Sequence, residues 1–124
     1  MNKKSIRKIL GGFKSYVPGG VSIRGTGGTD SARYCYTIWL RHLSILYKNG
    51  FTKIPNTIAE LGPGDSIGTG LAGLLSGSKK FYALDVVEHT DIKKNISVFD
   101  ELVTLFANHS ALPDDNEFPR VLPR

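Results

Sequence analysis

Apolar residues recur at helical spacing in two stretches of this chain and in short unbroken runs in two others. From Ser31 to Asn49, Cys35, Trp39, Leu43 and Leu46 fall on one face, with Tyr36, Leu40 and Tyr47 beside them. Arg33, Thr37, Arg41, Ser44 and Lys48 form a polar stripe on the other face. This pattern predicts an amphipathic helix. Asp30 or Ser31 can cap its start, because a short oxygen-bearing side chain accepts a free first-turn N–H. Gly50 ends it. Between Asn95 and Asn108 the apolar positions Ile96, Phe99, Val103 and Phe106 recur at steps of 3, 4 and 3, which predicts another helix. Thr57 to Leu61 reads as a short buried strand and Lys80 to Asp85 as a second one. Between them, Ser66 to about Leu75 is a helix of small residues that ends near Gly77. The order helix, strand, helix, strand, helix predicts an α/β fold with a parallel sheet and right-handed crossovers.

Other segments break the pattern. Residues 1–15 read as a short basic helix or a loose arm. Residues 16–30 hold five glycines and Pro18, so no regular element fits there, and a linker or a lid is expected. Arg24, Arg33 and Tyr34 are candidates to fold over a bound ligand, as lid residues do. The stretch from Pro113 to Arg124 has three prolines and is expected to be irregular. These shifts divide the chain into a basic helical amino-terminal segment, 1–50, and a partial cofactor-binding domain, 51–124.

Composition narrows the class. With 124 residues, 40% apolar and 22% charged, the chain suits one small globular domain rather than a disordered one. No apolar stretch approaches the roughly 20 residues that span a bilayer. The start has lysines but no apolar region behind them, so no signal peptide is expected and a cytoplasmic location is the simplest expectation. Cys35 is the single cysteine: it has no disulfide partner in the chain, and no Cys/His cluster suggests a metal site. Charge is uneven. Residues 1–50 carry nine Lys/Arg against Asp30 alone, a balance of +8, while residues 51–124 carry seven Lys/Arg against ten acids, a balance of −3. A basic half attracts phosphates, but no aromatic-plus-basic RNA motif or zinc-finger spacing is present, so a nucleic-acid partner is not expected.

The candidate chemistry lies at the end of the first strand. Glu60-Leu61 runs into Gly62-Pro63-Gly64, and Asp65-Ser66 open the following helix. In open α/β sheets, ligands bind beyond the carboxyl ends of the strands. Glycines there let backbone approach a ligand, and a helix start favours anionic groups. Asp85 ends the second strand 23 residues after Gly62, where a carboxylate can accept hydrogen bonds from both hydroxyls of a ribose. No Gly-Lys-Ser/Thr occurs, which excludes a P-loop. A formal G-x-G-x-x-G does occur, Gly68-Thr69-Gly70-Leu71-Ala72-Gly73, but it lies inside the helix, where its glycines suit close helix–sheet packing better than a dinucleotide.

The stretch from Glu60 to Gly68 resembles the first motif of class I S-adenosylmethionine-dependent methyltransferases, and Ala83-Leu84-Asp85-Val86 resembles their second. The match covers roughly residues 57–88. The resemblance implies a Rossmann-like sheet, a methyltransferase activity and S-adenosyl-L-methionine as cofactor. It also implies roles: Gly62 and Gly64 beside the methionine part, Glu60 supporting the loop and reaching the cofactor ammonium, and Asp85 on the ribose. Asp65 and Ser66 would contact the amino-acid end or cap the helix. The chain departs from the family at Pro63 and at Asp65-Ser66, where a third glycine is frequent.

The family has a seven-stranded sheet, against two strand patterns here, so the resemblance implies an amino-terminal portion with an exposed sheet edge able to pair with another copy. No residue stands out as a catalytic base or identifies the methyl acceptor. His42, His89 and His109 each read first as exposed or packing residues, with His89 nearest to the expected site. The alternatives are a truncated, non-catalytic module that binds S-adenosylmethionine and, behind it, a fragment of an NAD-type oxidoreductase.

Overall fold

The computed structural model describes residues 28–86 and 90–112. The amino-terminal arm, residues 16–27 of the glycine-rich segment with Arg24, His89, and the proline-rich stretch 113–124 lie outside the described residues. The described part is a small α/β protein with three helices and a two-stranded parallel sheet. In chain order these are α1 (Ala32–Lys48), β1 (Thr57–Leu61), α2 (Gly68–Leu75), β2 (Lys80–Leu84) and α3 (Ile92–Ala107). No helix among the described residues is long and apolar enough to cross a membrane.

Helix boundaries follow local chemistry. The Ser31 hydroxyl accepts the Tyr34 N–H at 3.2 Å and caps α1. At its other end Gly50 has φ +88, the Gly50 N–H donates to the Tyr47 carbonyl, and the Phe51 N–H donates to the Leu46 carbonyl. This left-handed closure satisfies carbonyls that the last turn leaves free. Gly77 ends α2 in the same way, at φ +112. In α3 the left-handed residue is His109, at φ +48, a conformation that L residues adopt at a cost. Helix α3 begins at Ile92, three residues before Asn95, because Asp91 caps it through the Lys94 N–H at 3.0 Å.

The sheet pairs in register from Thr57 with Lys80 to Leu61 with Leu84. Helix α2 lies on one face of it, and three glycines bring it close. A Cβ on Gly70 would stand 2.3 Å from the Phe81 ring, one on Gly73 would stand 2.2 Å from Ile58 Cδ1, and one on Gly68 would stand 2.5 Å from Cys35 Sγ. These glycines therefore allow both helix–sheet and helix–helix contact, as their position inside the helix suggests. Helices α1 and α3 pack on α2 and on each other. Ala32, Cys35, Tyr36 and Trp39 of α1 form the core with Ala72, Val98 and Leu102. The fully buried Leu102 and Val98 each contribute about 1.5–3 kcal/mol by leaving water. Tyr36 meets Phe106 edge-on, with ring centroids 4.9 Å apart, and its hydroxyl donates to the Ser110 carbonyl. Trp39 Nε1 donates to Ser76 Oγ at 2.6 Å.

Two sequence expectations, the polar placing of Thr37 and the burial of β1, differ from this arrangement, and the packing of α3 adds a point that the sequence left open. Thr37, placed on the polar stripe, is buried, and its hydroxyl donates to the Arg33 carbonyl at 2.9 Å; that bond to the preceding turn removes the cost of burying it. The apolar repeat of α3 is not its buried face. Val98 and Leu102 are buried, with Leu105 and Phe106 packed beside them, while Ile96, Phe99 and Val103 stay exposed, because α3 packs on helices and on neither strand. Among the described residues, strand β1 is covered on one face only, with Ile58 and Glu60 inward and Thr57, Ala59 and Leu61 exposed.

Candidate functional site at the carboxyl ends of the strands

The parallel register brings the ends of β1 and β2 together. The Gly62 N–H donates to the Leu84 carbonyl at 2.8 Å, which extends the ladder by one bond and fixes Gly62 beside the Leu84-Asp85 link. The chain then turns through Gly62 at φ +68 and Gly64 at φ +77, with Pro63 buried between them. Both values lie in the left-handed region that favours glycine. A Cβ on Gly62 would meet nothing within 4 Å, so that side of the turn is open space. A Cβ on Gly64 would lie 3.3 Å from Thr29 Oγ1.

Thr29 is the element that sequence reasoning missed. Its carbonyl accepts the Ser66 hydroxyl, and its own hydroxyl accepts the Ser66 N–H at 3.3 Å. Ser66 Oγ also accepts the Gly68 N–H at 3.1 Å, and the Ile67 N–H donates to Asn95 Oδ1 of α3 at 3.1 Å. Ser66 is therefore fully buried and committed to protein partners on both sides. In this arrangement it stitches the start of α1 to the start of α2 and presents nothing to a ligand. The only signal for this in the sequence was a pair of hydroxyl residues 37 positions apart. Asp65, next to it, is half-buried. Helix α2 begins at Gly68 rather than Ser66, since Ser66 and Ile67 are held outside the helical spiral by these bonds.

Glu60 points into the layer between sheet and helices. Together with Trp39, His42, Ile58, Thr69 and Phe81 it lines a cavity of about 100 Å³. Burial pushes its carboxyl above the usual range, and a hydrogen bond with the Thr69 side chain pulls partly back. Glu60 Oε2 is buried and has no protein partner; among the described residues only Arg41 Nε shares that condition. An oxygen in this state can receive a cation, a water or a proton. His42, which was read as exposed or packing, is indeed exposed, but it stands on the rim of the same cavity. Its i+3 spacing from Trp39 on α1 is the sequence feature that places it there.

Asp85 follows β2 directly and is exposed, with Oδ1 accepting the Val86 N–H at 2.7 Å. Gly62, Gly64 and Asp85 thus gather at one end of the sheet. Glu60 reaches the same level of β1 from the helix side. His109 lies elsewhere, at the end of α3. The Tyr34 ring packs on Gly28 and Arg33 is half-buried on α1. Cys35 is wholly buried, and burial pushes its thiol up to about 12, which makes it unreactive at neutral pH. Among the described residues, no group of three or more His, Cys, Asp or Glu is arranged to hold a metal ion. No family model, no curated protein and no solved structure matches this chain.

Proposed function

We propose that this chain carries the cofactor-binding part of a Rossmann-like, S-adenosylmethionine-dependent methyltransferase. One observation above others supports this reading. The ladder bond from Gly62 to Leu84 holds an open-sided glycine turn next to a carboxylate at the carboxyl ends of parallel strands. That placement gives a ligand a backbone surface to lie on and a hydroxyl-binding group one residue beyond the bond. The buried, unpartnered Glu60 oxygen adds an acceptor suited to an ammonium group. When bound, the cofactor would supply a methyl group on a sulfonium sulfur, and methyl transfer from it depends mainly on in-line positioning.

In this reading the Gly62 and Gly64 backbone supports the methionine portion, and Asp85 fixes the ribose through its two oxygens. Glu60 attracts the ammonium directly or through one water. Asp65 stands at the turn, where its charge can orient the amino-acid end, whereas Ser66 acts through the Thr29 knot that fixes the turn. The chain is tested by calorimetric titration with S-adenosylhomocysteine, with NAD as control. Binding of the first alone is expected. Binding of NAD alone would replace this reading with the oxidoreductase one, and a folded sample that bound neither would refute a working cofactor site in this chain.

A further inference from the structure

Helix α1 carries an apolar groove near its carboxyl end. Leu40, Leu43 and Tyr47 line it with Ser44, Lys48 and Leu112, and its volume is about 460 Å³. Tyr47 is 69% exposed and Leu112 42% exposed, so the groove is open among the described residues. The chain itself leads into it. After α3 the Ser110 N–H donates to the Leu105 carbonyl, and the Ser110 carbonyl accepts the Tyr36 hydroxyl. Two residues later Leu112 lies with Leu40, Leu43 and Tyr47. The contacts of this segment thus advance along α1 toward its carboxyl end. Pro113 favours an extended Leu112, so the chain is set to continue in that direction.

A second observation lies on the flank of the groove. Arg41 precedes Ser44 by three positions and Lys48 by seven, so the three share one side of α1, with Leu43 and Tyr47 on the other side of the groove. Arg41 Nε is buried and has no hydrogen-bond partner among the described residues. A buried N–H without an acceptor is costly, and a carboxylate is the strongest partner for a guanidinium. The sequence after Leu112 supplies both an acid and an apolar ring. Asp114 and Asp115 follow by two and three residues, at most about 10 Å of extended chain. Phe118 follows by six, a reach of up to about 20 Å, against about 6 Å from Leu43 to Tyr47 along the helix.

We propose that residues 113–124 seat on this groove, with Asp114 and Asp115 against Arg41 and Lys48 and Phe118 over Leu43 and Tyr47. The acids satisfy the cations on one side, and the ring takes apolar surface out of water on the other. The tether at Leu112 makes the contact intramolecular, which favours this segment over the same segment of a second copy. The inference stands apart from the proposed function, since none of these residues belongs to the turn between β1 and α2.

Disulfide trapping in the full chain tests it. Tyr47→Cys with Phe118→Cys, dilute and under mild oxidation, is expected to close within one chain about tenfold faster than Ile96→Cys with Phe118→Cys. Ile96 is the control because it lies beside Leu71 of α2, away from the groove. Tyr47 and Ile96 are exposed, circular dichroism confirms folding of each variant, and buried Cys35 takes no part. Asp114→Asn with Asp115→Asn, added to the Tyr47 pair, is expected to slow closure severalfold. Equal closure of the two pairs overturns the proposal. So does a Tyr47 pair that links only between chains, which would make a second copy the occupant, and closure indifferent to the two asparagines overturns the pairing with Arg41 and Lys48. Urea unfolding gives a separate reading. Tyr47→Ala and Phe118→Ala are each expected to lower the midpoint, and the double variant to lose no more than the larger single loss; losses that simply add overturn the contact between them.

Discussion

Two sets of glycines, less than a dozen residues apart, do opposite things. Gly62 and Gly64 adopt positive φ, and the space a side chain would take at Gly62 is open. Gly70 and Gly73 have ordinary helical backbone, and the space a side chain would take there is already filled by Phe81 and Ile58. The first set is needed for a backbone path and leaves room for a ligand. The second is needed for the approach of two elements and leaves no room at all. In sequence both are glycines near a helix start, and a dinucleotide-like spacing falls on the wrong set. What separates them is the neighbouring strand: the first set follows the end of β1, and the second faces Ile58 of β1 and Phe81 of β2.

The comparison breaks most visibly at Gly70. A methyl group placed 2.3–2.4 Å from three atoms of the Phe81 ring must push the ring or the strand aside, because the contact is with the body of a ring and not with a flexible tip. Gly70→Ala is expected to destabilise the fold by about 2–3 kcal/mol, at the upper end for overpacking. Urea unfolding monitored through Trp39, the single tryptophan, reads this directly. A loss below about 0.5 kcal/mol, within the range of ordinary surface changes, would show that α2 is not seated on β2 as described.

Gly62 should respond in the contrasting way. Gly62→Ala introduces no clash, but it holds an L residue at φ +68, at a cost of about 1–2 kcal/mol in stability. Affinity for S-adenosylhomocysteine is expected to fall further than stability does, by tenfold or more, since the new methyl projects into the open side of the turn. If affinity in a folded Gly62→Ala sample equals that of the parent chain, the ligand does not lie against this turn.

Much of this arrangement was legible in the sequence. Periodicity located α1 to within one residue at each end, and the glycines after α1 and α2 marked their left-handed closures. The apolar runs located both strands, and alternation of elements gave their parallel pairing. The missing parts depend on partners distant in sequence. The bonds between Thr29 and Ser66 span 37 positions, and no local pattern announces them. The buried face of α3 does not follow from its apolar repeat, because periodicity finds an apolar arc but not its neighbour. Ile96, Phe99 and Val103 are as periodic as Val98, Leu102 and Leu105, and only the docking of α3 on α1 and α2 decides between them. At the site, residue types and spacing marked the turn and Asp85. The inward turn of Glu60, and the presence of His42 on the same cavity, follow from the packing of α2 against both α1 and the sheet and could not be read from any one segment alone.

Glu60 bears on both glycine sets and gives the smallest and most specific test of how they differ. It belongs to the strand that leads into the open turn, yet it shares a cavity with Gly70 and Phe81 of the closed seam. Burial raises its carboxyl pKa in the folded state, so the folded chain binds the proton more tightly than the unfolded one. Stability is then fullest at low pH, falls as pH rises through about 4 toward the raised folded value, and stays lower above it. Glu60→Gln removes this titration. Its unfolding midpoint should be flatter across that window and equal or higher at neutral pH, while S-adenosylhomocysteine affinity drops because the ammonium loses its anionic partner. In the parent chain affinity should rise with pH over the same window, since the ionised carboxylate is the form that attracts a cation. A stability curve unchanged by Glu60→Gln would mean that the carboxyl is solvated, not enclosed. A flattened curve with full affinity would assign Glu60 to the closed seam and leave the open turn to bind through Gly62 and Asp85.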